Sequence, residues 1–172
     1  SPDDRQMGKK KVAKLPGLEK TLIPAKFNDI LELDELWSFI GKKSNKSWTW
    51  IALCRRTRQI VGFSVGDRSV KTCCKLKASI PENYTNLKTY SDFWDAYKTV
   101  FTEDHQSIGK ETGQTNHIER WNNTLRQRVG RFVRKTLSFS KIEENHIDAL
   151  KLFIHDYNCK IKENYLINSI SQ

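Results

Sequence analysis

C-x-x-C pairs are missing from this chain. Its four cysteines are Cys54, Cys73, Cys74 and Cys159; His117 and His146 stand far from them in sequence, and a lone His155, four residues before Cys159, does not make a ligand set. A structural zinc site needs thiolates and imidazoles at short spacings, so none is expected. Cys73 and Cys74 are adjacent, and neighbours rarely bridge each other. The four read as reduced thiols of a cytoplasmic, nucleoid-associated protein. No apolar run approaches the roughly 18 residues that cross a bilayer, so no transmembrane helix is present and no membrane partner is expected. The opening SPDDRQMGKKKVAK is polar and basic, so no secretory leader is expected. Internal repeats and low-complexity tracts are absent, which excludes solenoids and linker-like chains. Acidic charge is in short supply: 20 Asp+Glu face 30 Lys+Arg, a formal net charge of +10. A surplus of that size favours a polyanionic partner.

What is present fits one domain. The 172 residues suffice to bury a core without staples. Residues 1–27 are charged and hold Pro2, Pro16 and Pro24, three of the four prolines, so they read as a basic N-terminal arm or linker. Residues 28–172 read as the folded unit. The run 29–40 is rich in Ile, Leu, Trp and Phe and predicts a strand. GKKSNKS has turn chemistry and predicts a loop. WTWIALC (48–54) is almost continuously apolar, as a strand covered on both faces would be. IVGFSVG (60–66) predicts a third strand, and short connections join the three as a meander. A helix over 69–80 ends at Pro81. NLKTYSD (86–92) predicts a fourth strand, WDAYKTVF a short helix and HQSIGK a weak fifth strand. Ile118, Trp121, Leu125, Val129 and Phe132 repeat at steps of three and four and predict an amphipathic helix over 115–135. A last helix is expected from Lys141 to Lys160, anchored by Ile142, Ile147, Leu150, Ile154 and Tyr157. The order is an α/β pattern: three antiparallel strands, then parallel strands, in a mixed sheet with helices on both faces.

Three acids stand out on this frame. Asp34 interrupts an apolar strand, where a carboxylate is costly unless paired or metal-bound. Glu32 shares its face by strand alternation, and Glu35 points the other way. An exposed strand end is the plain alternative for Asp34. Asp92 ends a strand, the place where sites collect in α/β sheets. It also suits a helix cap, and Asp95 competes for its role. Glu119 opens a helix that carries Asn122, Asn123 and Arg126 close by, and an acid is favourable at that end in any case. Brought together, Asp34, Asp92 and Glu119 would hold two Mg²⁺ ions about 4 Å apart, with Mn²⁺ as a substitute. Arg120, Arg126, Arg128, Arg131, Arg134 and Lys135 crowd one helix and its end. Their mutual repulsion is relieved by a phosphate backbone. Arg120, Asn123, Arg126, Arg131, Arg134 and Lys135 are therefore the expected DNA contacts. The tryptophans are expected in the core, with Trp94, beside Asp92, as the exception that could stack on a base.

These segments resemble a known family. D-E-L-W at Asp34, S-D-F-W-D-A-Y at Asp92, E-R-W-N-N-T-L-R-Q from Glu119 and R-x-x-R-K-T-L-S-F-S-K from Arg131 to Lys141 are similar to the bacterial insertion sequence one transposases. The likeness covers roughly residues 30 to 160. It implies a ribonuclease H-like catalytic domain, with Asp34, Asp92 and Glu119 as catalytic metal ligands. It also implies Mg²⁺-dependent cleavage of double-stranded DNA at transposon ends and transfer of the 3′ hydroxyl to target DNA, by a homodimer on DNA. Family members usually carry an N-terminal zinc-binding and helix-turn-helix region. Neither pattern occurs here, so the catalytic part is the expectation. Two other readings keep the same residues: a structure-selective nuclease of the same fold, and a non-catalytic DNA-binding derivative.

Overall fold

The computed structural model describes residues 11–132 and 140–170. The elements are β1 (Ile30–Ile40), β2 (Lys42–Cys54), β3 (Ile60–Gly66), α1 (Val70–Ser79), β4 (Lys88–Ser91), α2 (Asp95–Val100), β5 (His105–Ser107), α3 (Asn116–Arg128) and α4 (Glu143–Ile170). The strands form one sheet in the order β3-β2-β1-β4-β5. β1 to β3 pair antiparallel, and β1, β4 and β5 pair parallel. This is the expected α/β, ribonuclease H-like mixed sheet.

Strand alternation builds two cores, one on each face. Leu31, Leu33, Trp50, Ala52 and Cys54 pack with Cys73 and Leu76 of α1 and Tyr97 of α2. Leu36, Ile51, Leu53 and Ile60 pack on the other face with Ile118, Trp121 and Leu125 of α3 and Leu150 and Ile154 of α4. The continuous apolar run of β2 follows from this arrangement, because both of its faces are covered. Gly62 on β3 permits the close approach of α1: an added Cβ would lie 2.7 Å from Ile80 Cγ1. Upstream, Thr21, Leu22 and Ile23 are buried against the body. The Gln59 side chain fixes them, accepting from Ile23 N at 2.8 Å and donating to the Thr21 carbonyl at 2.8 Å.

Three boundaries differ from the sequence reading. The expected loop at 41–47 shrinks to a tight turn at Gly41, whose φ of 73° suits a residue without a side chain. Lys42 to Lys46 instead extend β2 as an exposed stretch, and a register shift at Phe39/Ile40 absorbs the extra length. The helix expected over 115–135 stops at Arg128, where Val129 turns to extended backbone before Gly130. Phe132 is nevertheless fully buried in the same core, so the apolar period survives a break that it cannot reveal. α4 runs ten residues past Lys160, through turns whose side chains are mostly exposed. Ile142, expected as an anchor, is 53 % exposed and precedes that helix.

The inward position of the first turn of α4 is His146. Its imidazole lies 2.9 Å from Ser38 Oγ and packs on Phe132 with ring centres 4.2 Å apart. Burial, helped by the nearby Arg131 charge, pushes its pKa down from 6.5 to about 4. The folded chain therefore holds this imidazole neutral, while the unfolded chain protonates it near 6.5. Its contribution is complete above pH 6.5 and is lost as pH falls toward 4, at most about 3 kcal/mol. Thermal melts of the wild type against His146→Phe should show a shallower loss of stability over that window in the variant.

Candidate metal centre

The sheet places the site at its topological switch point. From β1 the chain builds outward through β2 and β3, then returns to build β4 and β5 on the other side. Strands diverging from such a point leave a crevice beyond their carboxyl ends. Here β4 pairs with β1 only from Ile30 to Glu32, so β1 runs on past the end of β4. The chain leaving Ser91 turns into the space beside Asp34 and Glu35. One carboxylate oxygen each from Asp34, Glu35 and Asp92 lies within 4.8 Å of the others.

The three acids are held differently. Asp34 faces α3, where Asn122 Nδ2 donates to its Oδ2 at 2.7 Å. Asp92 Oδ1 accepts from Trp94 N at 3.0 Å in a local turn that engages one oxygen; the helix-cap role weighed for it is not taken, because α2 begins only at Asp95, with Trp94 as its N-cap residue and no side-chain cap. Glu35 projects from the opposite face of β1, with its side chain 2 % exposed. Tyr97 donates to Glu35 Oε2 at 2.7 Å, and Arg68 Nε donates to Oε1 at 2.9 Å. The Arg68 guanidinium is sandwiched between Trp94 at 4.1 Å and Trp48 at 4.6 Å. Burial pushes the Glu35 carboxyl up from its ordinary value, and the neighbouring Asp92 charge pushes the same way, against the Tyr97 and Arg68 hydrogen bonds. With donors on both of its oxygens, Glu35 is a partner of Arg68 and Tyr97.

Glu119 stands outside that group. It occupies the first turn of α3 and accepts from Thr115 Oγ1 at 3.0 Å. Asn122, one turn further along, is the α3 side chain that contacts Asp34. The structure thus brings Asp34 and Asp92 together and sets α3 against Asp34, with Glu119 one turn from the contact. Of the expected DNA contacts, Arg120, Asn123 and Arg131 are exposed and Arg126 is half-buried. Arg131 Nη1 donates to the Asn145 carbonyl at 3.3 Å. Arg134 and Lys135 lie outside the described residues.

Sequence reasoning noted Glu32 only as a neighbour of Asp34 on the same face. It is fully buried and accepts Arg55 Nε at 2.8 Å and the backbone N–H groups of His117 and Ile118 at 3.0 Å each. His117 Nδ1 lies 2.6 Å from its Oε1. Thr115 makes no side-chain cap to α3, so a carboxylate from β1 caps that helix in its place. Arg55 also donates to the Gln114 carbonyl at 2.6 Å. Strand and helix are thereby tied together two residues from Asp34 on one side and two from Glu119 on the other. The only signal in the sequence was a third acid at period two, indistinguishable there from an exposed one.

A ribonuclease H-like sheet with acids gathered at its switch point is the framework of the nucleotidyl-transferring DDE class. The sequence comparisons narrow this: the profile of the IS1 transposase domain matches residues 29–159. The insertion element iso-IS1n protein InsB of Shigella dysenteriae is 37 % identical over 128 residues, covering 74 % of this chain and 95 % of that protein. The insertion element IS1 protein InsB of Shigella flexneri is 35 % identical over 115 residues, covering 67 % of this chain and 86 % of the relative. An IS1 InsB protein of Escherichia coli is 34 % identical over 115 residues, with 67 % of each chain covered. The chain belongs to the IS1 transposase family. Among the described residues no helix is long and apolar enough to cross a membrane.

Proposed function

We propose that this chain cuts double-stranded DNA at the ends of an insertion element and joins the new 3′ hydroxyl to target DNA. Asp34, Asp92 and Glu119 would hold two Mg²⁺ ions, with Mn²⁺ as a substitute. The observation that carries the reading is the convergence of Asp34 and Asp92 at the switch point, with α3 fastened to Asp34. The donor set suits the cation: hard carboxylate oxygens favour Mg²⁺ and Mn²⁺ over softer metals. The buried Asn122 Oδ1, beside Asp34, has no hydrogen-bond partner and adds an oxygen acceptor to that wall. Glu119 is one turn of helix away, and a fourth acid joins Asp34, Glu35 and Asp92 at high Coulomb cost unless positive charge compensates it.

Bound there, the ions would supply an activated water or 3′ hydroxyl and stabilise charge at the leaving oxygen. The chain's own contribution is positioning. Asn122 orients Asp34, the turn to Trp94 N orients Asp92, and Glu32 fixes the helix carrying Glu119. Arg120, Asn123, Arg126 and Arg131, with Arg134 and Lys135 beyond the break of α3, would engage the phosphate backbone. Residues 28–172 form the catalytic unit in this reading. The basic segment 1–27 precedes it and docks through Thr21 to Ile23. Two subunits would hold two DNA ends, so a homodimer on DNA is part of the proposal.

The deciding experiment incubates the chain with Mg²⁺ or Mn²⁺ and either intact or pre-cleaved element ends. Joined products from pre-cleaved ends support the transposase. Cleavage without joining supports a nuclease of the same fold. DNA binding with neither reaction leaves only a DNA-binding derivative.

A further inference from the structure

Directly behind Asp92 lies a recess of about 300 Å³ lined by Arg68, Asp92, Phe93, Trp94, Ile108 and Gly109. Phe93 is 62 % exposed there. Trp94, the aromatic that the sequence singled out for base stacking, is half-buried and engaged with the Arg68 cation. The ring left at the mouth of the recess is therefore Phe93. Its chain neighbour Asp92 reaches the acid cluster, so the recess and the candidate centre share a wall. The lining is apolar on the Phe93, Trp94 and Ile108 side, the character of a site for a flat ring, and its charged members are the Asp92 carboxylate and an Arg68 guanidinium paired with Glu35.

We propose that this recess takes one unpaired nucleobase of the DNA strand being processed, stacked on Phe93, and so sets which phosphate lies at Asp34 and Asp92. This rests on the reading of the chain as a DNA-cutting enzyme. A base inside a duplex is covered on both faces and cannot enter. Occupancy therefore requires an unpaired nucleotide beside the reacting phosphate, and stacking on an aromatic ring offsets the loss of pairing. Stacking does not discriminate strongly among bases, so the recess reads unpaired structure more than sequence. The chain's net charge of +10 favours nucleic acid over an apolar peptide as occupant.

The test needs no catalysis. Fluorescence anisotropy compares the binding of the full chain to a blunt duplex, to the same duplex with a short unpaired 5′ tail, and to a tailed duplex whose first tail nucleotide is abasic. The wild type should prefer the natural tail by roughly tenfold. Phe93→Ala and the abasic nucleotide should each abolish that preference and should not add to one another. Phe93→Trp should restore it. Equal affinity of the wild type for blunt and tailed DNA overturns the proposal, as does an unaltered preference in Phe93→Ala. Unchanged DNA binding with a lower sedimenting mass in Phe93→Ala would overturn it in favour of a second copy of the chain. Metal-dependent cleavage, measured separately, tests the reading beneath it.

Discussion

Replacing Asp92 by Asn is expected to lower metal-dependent DNA cleavage by at least ~10³-fold while leaving the fold as stable as before, or more stable, in metal-free buffer. The two halves of this result have separate causes. An asparagine oxygen still accepts the Trp94 N–H, so the turn after β4 survives. The charge does not survive. Asp92 is one of three carboxylates within 4.8 Å, and its negative charge helps to hold the Glu35 carboxyl above its ordinary value. Removing it relieves repulsion in the apo site and weakens the hold on a divalent ion. A ligand that binds only the native state raises stability in proportion to its affinity. Wild-type melting temperature should therefore rise with Mn²⁺, and that rise should disappear in the variant. Melts with and without Mn²⁺, beside a cleavage assay, check both halves. Wild-type activity in the variant would remove Asp92 from the centre. A large fall of stability without metal would make it a structural residue.

The fold was largely legible because its signals are local. WTWIALC shows both faces of β2 covered, Pro81 ends the helix before it, and Ile118, Trp121 and Leu125 mark the buried stripe of α3. The end of α3 was not legible. Phe132 returns to the same core after the helix breaks at Val129, so the period runs on through the break. Asp34 and Asp92 were legible as acids at strand positions where a carboxylate is costly or sites gather, and the parallel pairing of β1 with β4 brings them together. Glu35 was not. Strand alternation sends it to the opposite face from Asp34, and only the early end of β4 lets both reach Asp92. Arg68 and Tyr97, which engage Glu35, are distant from it in sequence, and although Tyr97 closes the S-D-F-W-D-A-Y segment, nothing in that segment points to Glu35. The exposure of Phe93 was not legible either, since it depends on tertiary packing.

Glu32→Ala should lower stability by about 3 kcal/mol. It would leave two backbone N–H groups of α3, the His117 imidazole and the Arg55 guanidinium without their common acceptor. The Arg55 side chain is 23 % exposed and can partly rehydrate, which keeps the loss at the low end for a broken buried pair. In a chain of this size the melting temperature should fall by about 10 °C. Glu32→Gln separates charge from shape. It retains an acceptor oxygen for the α3 amides but gives up the charge that pairs with Arg55, so its loss should be smaller. Catalysis should respond beyond folding, because Asn122 touches Asp34 from this helix and Glu119 sits in its first turn. At a temperature where Glu32→Gln is fully folded, turnover should fall with little change in DNA affinity, since Glu32 contacts Arg55, His117 and the end of α3 and none of the side chains proposed to bind DNA. A Glu32→Ala chain that melts with the wild type would show that α3 keeps its place without the β1 carboxylate. A Glu32→Gln chain that loses DNA affinity and turnover in parallel would show that the clamp supports the DNA-binding surface as a whole and does not specifically position Glu119 against Asp34.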